Sequence, residues 1–355
     1  MVDQVLSPWH KAQKVLEQTL LEIAEFFPLT DNDRSLIEFG YNTYRTRRLK
    51  GEGRQQITVG RCVDGKIYYG THTEAEEEEA KSDPDAQFTS SWVDALQQAG
   101  CNEVHPNRIV DVVTQRWTDD ECKLAIVPPD SIARQQYIQF SPGVNFIVMF
   151  KGNLVKLPIE ALYPWDYCIR PLPPALEQLR PTWPFRDEVM ACIKRMVIQV
   201  SNLFPLTAED QLLIDQAMLE IRKRYAYGYW QLAAAFETDV PGHSKTGVQH
   251  DTKSGKANTD AEQAAIKKAR HFFPGERMKT IVTAHHSSKN FVHSDEKNGC
   301  IMLVTSCALC RKSLLRYSPD ILNIIPLNGE GTGKVPLRIL YPLPDFVLPE
   351  LSLTA

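Results

Sequence analysis

Two stretches decide the reading of this chain: Ala257-Asn-Thr-Asp260-Ala261-Glu262-Gln-Ala-Ala-Ile-Lys-Lys-Ala269 and Leu303-Val-Thr-Ser-Cys307-Ala-Leu-Cys310-Arg311-Lys-Ser-Leu-Leu-Arg-Tyr-Ser-Pro319. The first has small and apolar residues at helical spacing behind a carboxylate, with a second carboxylate two residues on. The second places Cys-x-x-Cys at a predicted helix start, where both sulfurs share a face and the backbone N–H groups favour thiolate. Asp260, Cys307 and Cys310 offer one oxygen and two sulfurs, a set that suits Zn better than Mg or Ca. Each piece also has a plainer reading: Asp260 as a helix N-cap, Glu262 as a first-turn carboxylate, and the cysteines as small buried residues. These plainer readings stand or fall together.

Further residues extend the pattern. Gly247-Val-Gln249-His250-Asp251 precedes Asp260-Ala261-Glu262 by eight residues, and Trp230-Gln-Leu-Ala-Ala-Ala235 lies upstream. Arg311 follows the second thiol, and LNIIPLNGEGTGKVPLRILYPLPDF reads as a closing strand, turn and helix. In this order they resemble the cytidine deaminase superfamily, whose nucleoside enzymes carry G-x-N-x-E, eight residues, C-A-E and then the paired cysteines. The resemblance covers about residues 200 to 347 and departs from the family at Gln249, Asp251 and Asp260.

What the resemblance implies is specific. One zinc per chain would be held by Asp260, Cys307 and Cys310, and hydroxide would attack the amino-bearing carbon of a base. Glu262 would shuttle the proton, Gln249 and Asp251 would hold the ribose, and Trp230 and Ala261 would line the base. The partner implied is a small nucleoside or nucleotide, cytidine-like. Lys245, Lys253, Lys256, Lys267, Lys268 and Arg270 are phosphate candidates, and with the segment Lys279 to Cys300 they motivate a second reading, a base within RNA or single-stranded DNA. That segment is expected to be a surface insertion bearing His285, His286 and His293, with His286 a candidate pocket contact. A metal-free scaffold is a third reading.

The first half echoes the second. Phe27-Pro-Leu-Thr30 recurs as Phe204-Pro-Leu-Thr207, and Gly70 to Glu74 matches Gly247 to Asp251, both at an offset of 177. The expectation is two tandem three-layer α/β/α domains of cytidine deaminase-like type with mixed sheets: residues 1–170, a Pro-rich linker 171–184, and 185–355. Each half is expected to run helix, two strands, helix, strand, helix, strand, helix. The first copy has Ser90 and Trp92 at the positions of Asp260 and Glu262, and Asp130 and Ala133 at those of the thiols, so it is expected to hold no metal. His72 and Glu74 are expected in a solvated loop.

Composition is consistent with two cores, at 355 residues and 43% hydrophobic content. No apolar run reaches membrane-spanning length and the start lacks a secretory pattern, so a cytoplasmic chain without membrane association is expected, with reduced cysteines. Residues 178 onward carry a net charge of +4 and the rest −8, within a total of −4. A homodimer, with four domains in all, is the expected assembly.

Overall fold

The computed structural model describes residues 6–49, 54–73, 91–100, 109–118, 123–141, 143–165, 184–224, 231–249, 260–286, 301–327 and 331–344. The elements are α1 (Pro8–Phe26), α2 (Asp31–Leu49), β1 (Arg54–Cys62), β2 (Ile67–Thr73), α3 (Ser91–Gln98), β3 (Ile109–Thr118), β4 (Lys123–Ile126), α4 (Ser131–Phe140), β5 (Asn145–Phe150), β6 (Asn153–Pro158) and α5 (Ile159–Leu162). The second half continues with α6 (Arg186–Ser201), α7 (Ala208–Arg224), β7 (Gln231–Thr238), β8 (Ser244–Val248), α8 (Ala261–Phe272), β9 (Met278–His286), β10 (Ile301–Val304), α9 (Ala308–Tyr317), β11 (Leu322–Pro326), β12 (Thr332–Pro336) and α10 (Leu337–Leu340).

Two six-stranded sheets share one plan. The first has the order β2-β1-β3-β5-β6 with β4 on β3, the second β8-β7-β9-β11-β12 with β10 on β9. The pairs β3–β5 and β9–β11 are parallel and the others antiparallel, so both sheets are mixed. A parallel neighbour needs a crossover, and here the crossovers carry α4 and α9. Each half therefore has two opening helices and two more strands, β4 and β6 or β10 and β12, than the sequence pattern suggested. Strands of four to six residues such as these are too short to stand out by periodicity.

The repeated FPLT segment earns its place by a reciprocal cap. Thr30 N–H donates to Asp33 Oδ2 at 2.8 Å while Asp33 N–H donates to Thr30 Oγ1 at 3.3 Å, and Thr207 with Asp210 repeats both distances. Both aspartates are buried and each meets a lysine from the last strand of its sheet, Lys156 or Lys334. The cap thus ties the start of α2 or α7 to the sheet edge.

Side-chain alternation builds three layers. Ala233, Ala235, Val282 and Ala284 pack with Leu213, Ile214, Ala217 and Ile221 of α7. Their neighbours Ala234, Phe236 and Ile281 face the other way, onto Ala261, Ala265, Ile266 and Ala269 of α8. That second face belongs to a core shared by both halves, including Leu16 and Leu20 of α1 and Val189 and Val197 of α6. Residues 171–183 of the expected linker lie outside the described residues; Phe185, stacked on Phe26, and α6 follow them.

The segment Lys279 to Cys300 corrects an expectation. Its first eight residues are no surface insertion: they belong to β9, which pairs with β7, β10 and β11 at the centre of the sheet. The β-branched run Thr280-Ile281-Val282-Thr283 explains this, and His285 is buried there. His293 lies outside the described residues. His72 is likewise no loop residue; it sits buried in β2, where its Nδ1 accepts from Ser91 N–H at 3.3 Å. Glu74 lies outside the described residues.

Candidate metal and active site

Asp260 and Cys307 occupy the same local position, the residue before the first turn of a helix. Asp260 precedes α8 and Cys307 precedes α9, and both helices start beside the β7–β9–β11 part of the sheet. Gly247 sets the position of α8. A Cβ there would run into the Ala261 carbonyl and the Ala265 nitrogen, so only glycine lets β8 lie this close to the first turn of the helix.

The three candidate ligand atoms lie within 4.8 Å of one another. Asp260 Oδ2 is 3.2 Å from Cys310 Sγ and 3.7 Å from Cys307 Sγ, while Cys310 N–H donates to Cys307 Sγ at 3.4 Å. Oxygen and sulfur donors on a tetrahedral zinc stand about 3.6 to 3.8 Å apart, so modest adjustment would accommodate the ion. The donor set fits the metal on chemistry as well as on spacing. Hydrogen bonding with Cys307 and burial push the Cys310 thiol well up, and the charges of Glu262 and Asp260 act in the same direction. A divalent cation among these groups would reverse that balance and hold both sulfurs as thiolates.

The plainer readings fare less well. Asp260 holds the N-cap position of α8, yet its side chain makes no capping hydrogen bond. Its carboxylate is aimed at the sulfurs instead. Glu262 is no solvated first-turn carboxylate, being only 3% exposed. Burial raises its pKa and the Asp260 charge adds to that, while hydrogen bonds from its own backbone N–H, Thr283 and Ser306 pull the other way. Thr283 Oγ1 donates to Glu262 Oε1 at 3.1 Å from β9. Thr283 and Ser306 were not foreseen. The signals were present, in Ser306 preceding Cys307 and in the alternation that turns Thr283 toward α8.

The other predicted residues divide. Gln249 follows β8, half-buried, with its N–H on the Leu232 carbonyl at 3.0 Å. Ala261 is fully buried at the start of α8. Trp230, Asp251, Lys253 and Lys256 lie outside the described residues, as does the side chain of His286 at the end of β9. Several phosphate candidates are used elsewhere. Lys268 donates to the Thr246 carbonyl at 2.6 Å, Lys245 lies over the Phe272 ring at the far end of α8, and Arg270 lies over Tyr317. At 1.5 Å per residue, Lys268 sits about 12 Å along the helix from Asp260.

In the first half, Trp92 fills the place of Glu262 in the core, edge-on to Tyr137 and tilted against Phe146. Asp130 caps α4 through Ala133 N–H at 2.7 Å, and Ser91 joins Gln56, Thr58 and Thr114 in a buried hydrogen-bonded chain. Ser90 lies outside the described residues. Among the described residues Asp260, Cys307 and Cys310 form the single group of metal-ligating type. Cys62 and Cys192 are buried and form no disulfide.

No family model matches the chain. Blasticidin-S deaminase of Bacillus cereus is 28% identical over 141 residues, spanning 39% of this chain and 94% of that protein. The two mixed six-stranded sheets match the α/β architecture expected for the chain, and the match makes the chain similar to a deaminase over part of its length. Of solved structures, cytidine deaminase from Mycobacterium tuberculosis aligns at 19% identity and TM-score 0.30, over 40% of this chain and 100% of that one. Cytidine deaminase from Bacillus anthracis aligns at 21% identity and TM-score 0.31, over 37% of this chain and 86% of that one. No helix among the described residues is long and apolar enough to cross a membrane.

Proposed function

We propose that this cytidine deaminase-like chain is a zinc-dependent hydrolytic deaminase of a free nucleoside or nucleotide base, cytidine-like in its substrate. The observation that carries the reading is the convergence of Asp260, Cys307 and Cys310 beside the buried carboxylate of Glu262. Similarity to a deaminase supports it. Asp260, Cys307 and Cys310 would hold the ion, which supplies a Lewis acid and makes water acidic enough to react near neutral pH.

The remaining work falls to the chain. Glu262 accepts a proton from the attacking water and delivers it to the ring nitrogen, then carries a second proton, from the hydroxyl now on the carbon, to the amino group as it departs as ammonia and the carbonyl forms. Burial raises its pKa, which makes the carboxylate a stronger proton acceptor. Thr283 and Ser306 fix the carboxylate orientation, and β9 beneath it excludes bulk water. Gln249 and Asp251 hold ribose hydroxyls, and Trp230 and the Ala261 backbone border the base.

The first half is a degenerate, metal-free copy of the second, and its Trp92 replaces the proton carrier with core. A homodimer of four α/β units is the assembly this reading carries. The engagement of Lys245, Lys268 and Arg270 away from the ligand cluster favours a free substrate over a polymer. Elemental analysis of metal-supplied protein, followed by ammonia release from cytidine, deoxycytidine, their phosphates and a cytosine oligonucleotide, tests the reading. Near one zinc per chain with turnover of a monomeric substrate supports it; a metal-free, inactive protein overturns it.

A further inference from the structure

Arg134 and Arg311 are related by the offset of 177 and make mirror-image contacts between the halves. Both are fully buried. Arg311 Nε donates to the Ser306 carbonyl at 2.8 Å, and its Nη1 to Leu340 O within its own half. It then crosses to the first half, with Nη1 on Pro164 O at 2.9 Å, Nη2 on Trp165 O at 2.6 Å and its guanidinium 4.2 Å from the Tyr163 ring centre. Arg134 repeats the pattern in reverse: Pro129 O and Leu162 O at home, Pro342 O at 2.7 Å, Leu343 O and the Tyr341 ring across the boundary.

The two arginines differ in what they flank. Arg134 follows Ala133, whereas Arg311 follows Cys310. Its Nε also fixes Ser306, which hydrogen-bonds Glu262 and immediately precedes Cys307. A second contact acts on the same loop, because Thr305 Oγ1 donates to Trp165 O at 3.1 Å. Trp165 holds a left-handed backbone, φ 58°, and its indole N–H is tied to Pro326 O at 2.7 Å. A non-glycine residue persists in that conformation only where its surroundings over-determine it.

Arg311 is buried, held by four carbonyls and a ring, with no carboxylate partner among the described residues.

We propose that Tyr163, Pro164 and Trp165 of the first half are positioning residues for the thiol loop, acting through Arg311 and Thr305, so that metal retention in one half depends on the other. The inference rests on the assignment of Cys307 and Cys310 as ligands. The mirror symmetry supplies its control. Tyr163→Leu and Arg311→Leu disturb the loop that carries the thiols, and Tyr341→Leu and Arg134→Leu disturb the matching contacts beside Asp130 and Ala133.

In the full-length protein, thermal midpoints are expected to fall alike within each matched pair, Tyr163 with Tyr341 and Arg311 with Arg134. Zinc transfer to a chromogenic chelator is expected to quicken about tenfold or more only in Tyr163→Leu and Arg311→Leu, the range for residues that orient ligands. Tyr163→Phe, which keeps the ring, should retain the wild-type rate. Equal transfer rates in the mirror variants, or no change in any, overturn the proposal. If the wild-type protein holds no zinc, the assigned function falls while this inference is still decided. Alkylation of Cys307 and Cys310, followed by peptide mass mapping, must then quicken in the Tyr163 and Arg311 variants alone, and equal labelling in all four overturns it. The tyrosine pair keeps the test open should the arginine variants fail to fold.

Discussion

Thr283 Oγ1 reaches up from the central strand to donate a hydrogen bond to Glu262 Oε1 at 3.1 Å. The contact joins the middle of the sheet to the first turn of α8 and leaves the carboxylate little freedom. Glu262→Gln keeps the shape and the hydroxyl contact but removes proton transfer. It should bind metal as the parent does and lose about 10² to 10⁴ in kcat. Thr283→Val should lower kcat by about tenfold with KM nearly unchanged, as expected for orientation lost rather than binding. Single-turnover kinetics with metal content measured on the same samples checks both; wild-type turnover in Glu262→Gln would remove that residue from the mechanism.

Asp260 can be tested as a ligand by exchange. Since its side chain makes no cap bond to α8, Asp260→Ala should cost little helix stability yet strip the metal. Asp260→Cys should restore binding, because thiolate carries the same charge and suits the same ion. Elemental mass spectrometry on the three proteins decides it, and metal retained in the alanine variant would exclude Asp260 from the ligand set.

Gly247 and its counterpart Gly70 offer a matched pair. A Cβ at Gly70 would meet the Ser91 carbonyl and Ala95 nitrogen, as one at Gly247 would meet Ala261 and Ala265. Each alanine substitution should destabilise by about 1–3 kcal/mol through overpacking. Gly247→Ala alone should also weaken metal retention, since it displaces the helix start that bears Asp260. Urea unfolding and chelator competition separate the two effects, and equal metal loss in Gly70→Ala would contradict the assignment.

Acid sensitivity should trace in part to Asp33. Burial alone would raise its pKa, but hydrogen bonds from Lys156 and from the Thr30 N–H and hydroxyl, with the Lys156 charge, leave it lowered. A lowered carboxyl binds protons more weakly in the folded than in the unfolded chain. Its stabilisation is therefore present above the ordinary aspartate value of 3.8 and lost as pH falls through the folded value. Asp33→Asn should cost about 3–5 kcal/mol near neutral pH, as a broken buried pair, and flatten the loss of stability on acidification. Denaturant midpoints between neutral pH and pH ~3 measure the slope; an unchanged slope would count against this role for Asp33.

Much of this was legible in the sequence because it was written in local chemistry. Helix α8 begins where its small-residue periodicity and Asp260 placed it, and α9 begins at the cysteine pair. The repeat was visible through Phe27 to Thr30 against Phe204 to Thr207, and the structure gives the reason, since a reciprocal cap with Asp33 or Asp210 needs particular side chains at a fixed spacing. Strand β9 was misread because a half-polar strand bearing Thr, His and Lys between two helices has the composition of an insertion. What made it a strand is pairing with β7 and β11, which are distant in sequence. The arginine exchange was hidden for the same reason. Arg311 looked like a residue following a thiol, and only the tertiary arrangement brings Pro164 and Trp165 to it.

The apolar core that runs from α1 through α6 to the face beneath α8 has a consequence for heredity. Neither half closes its own interior, so heat should melt the chain in one step, and a gene cut at the proline-rich segment would encode two pieces with exposed oil. A lineage that needed only the ligand-bearing half could not shed the other by deletion. It would first have to re-cover Leu16, Leu20 and their neighbours' vacated places with polar residues, one substitution at a time.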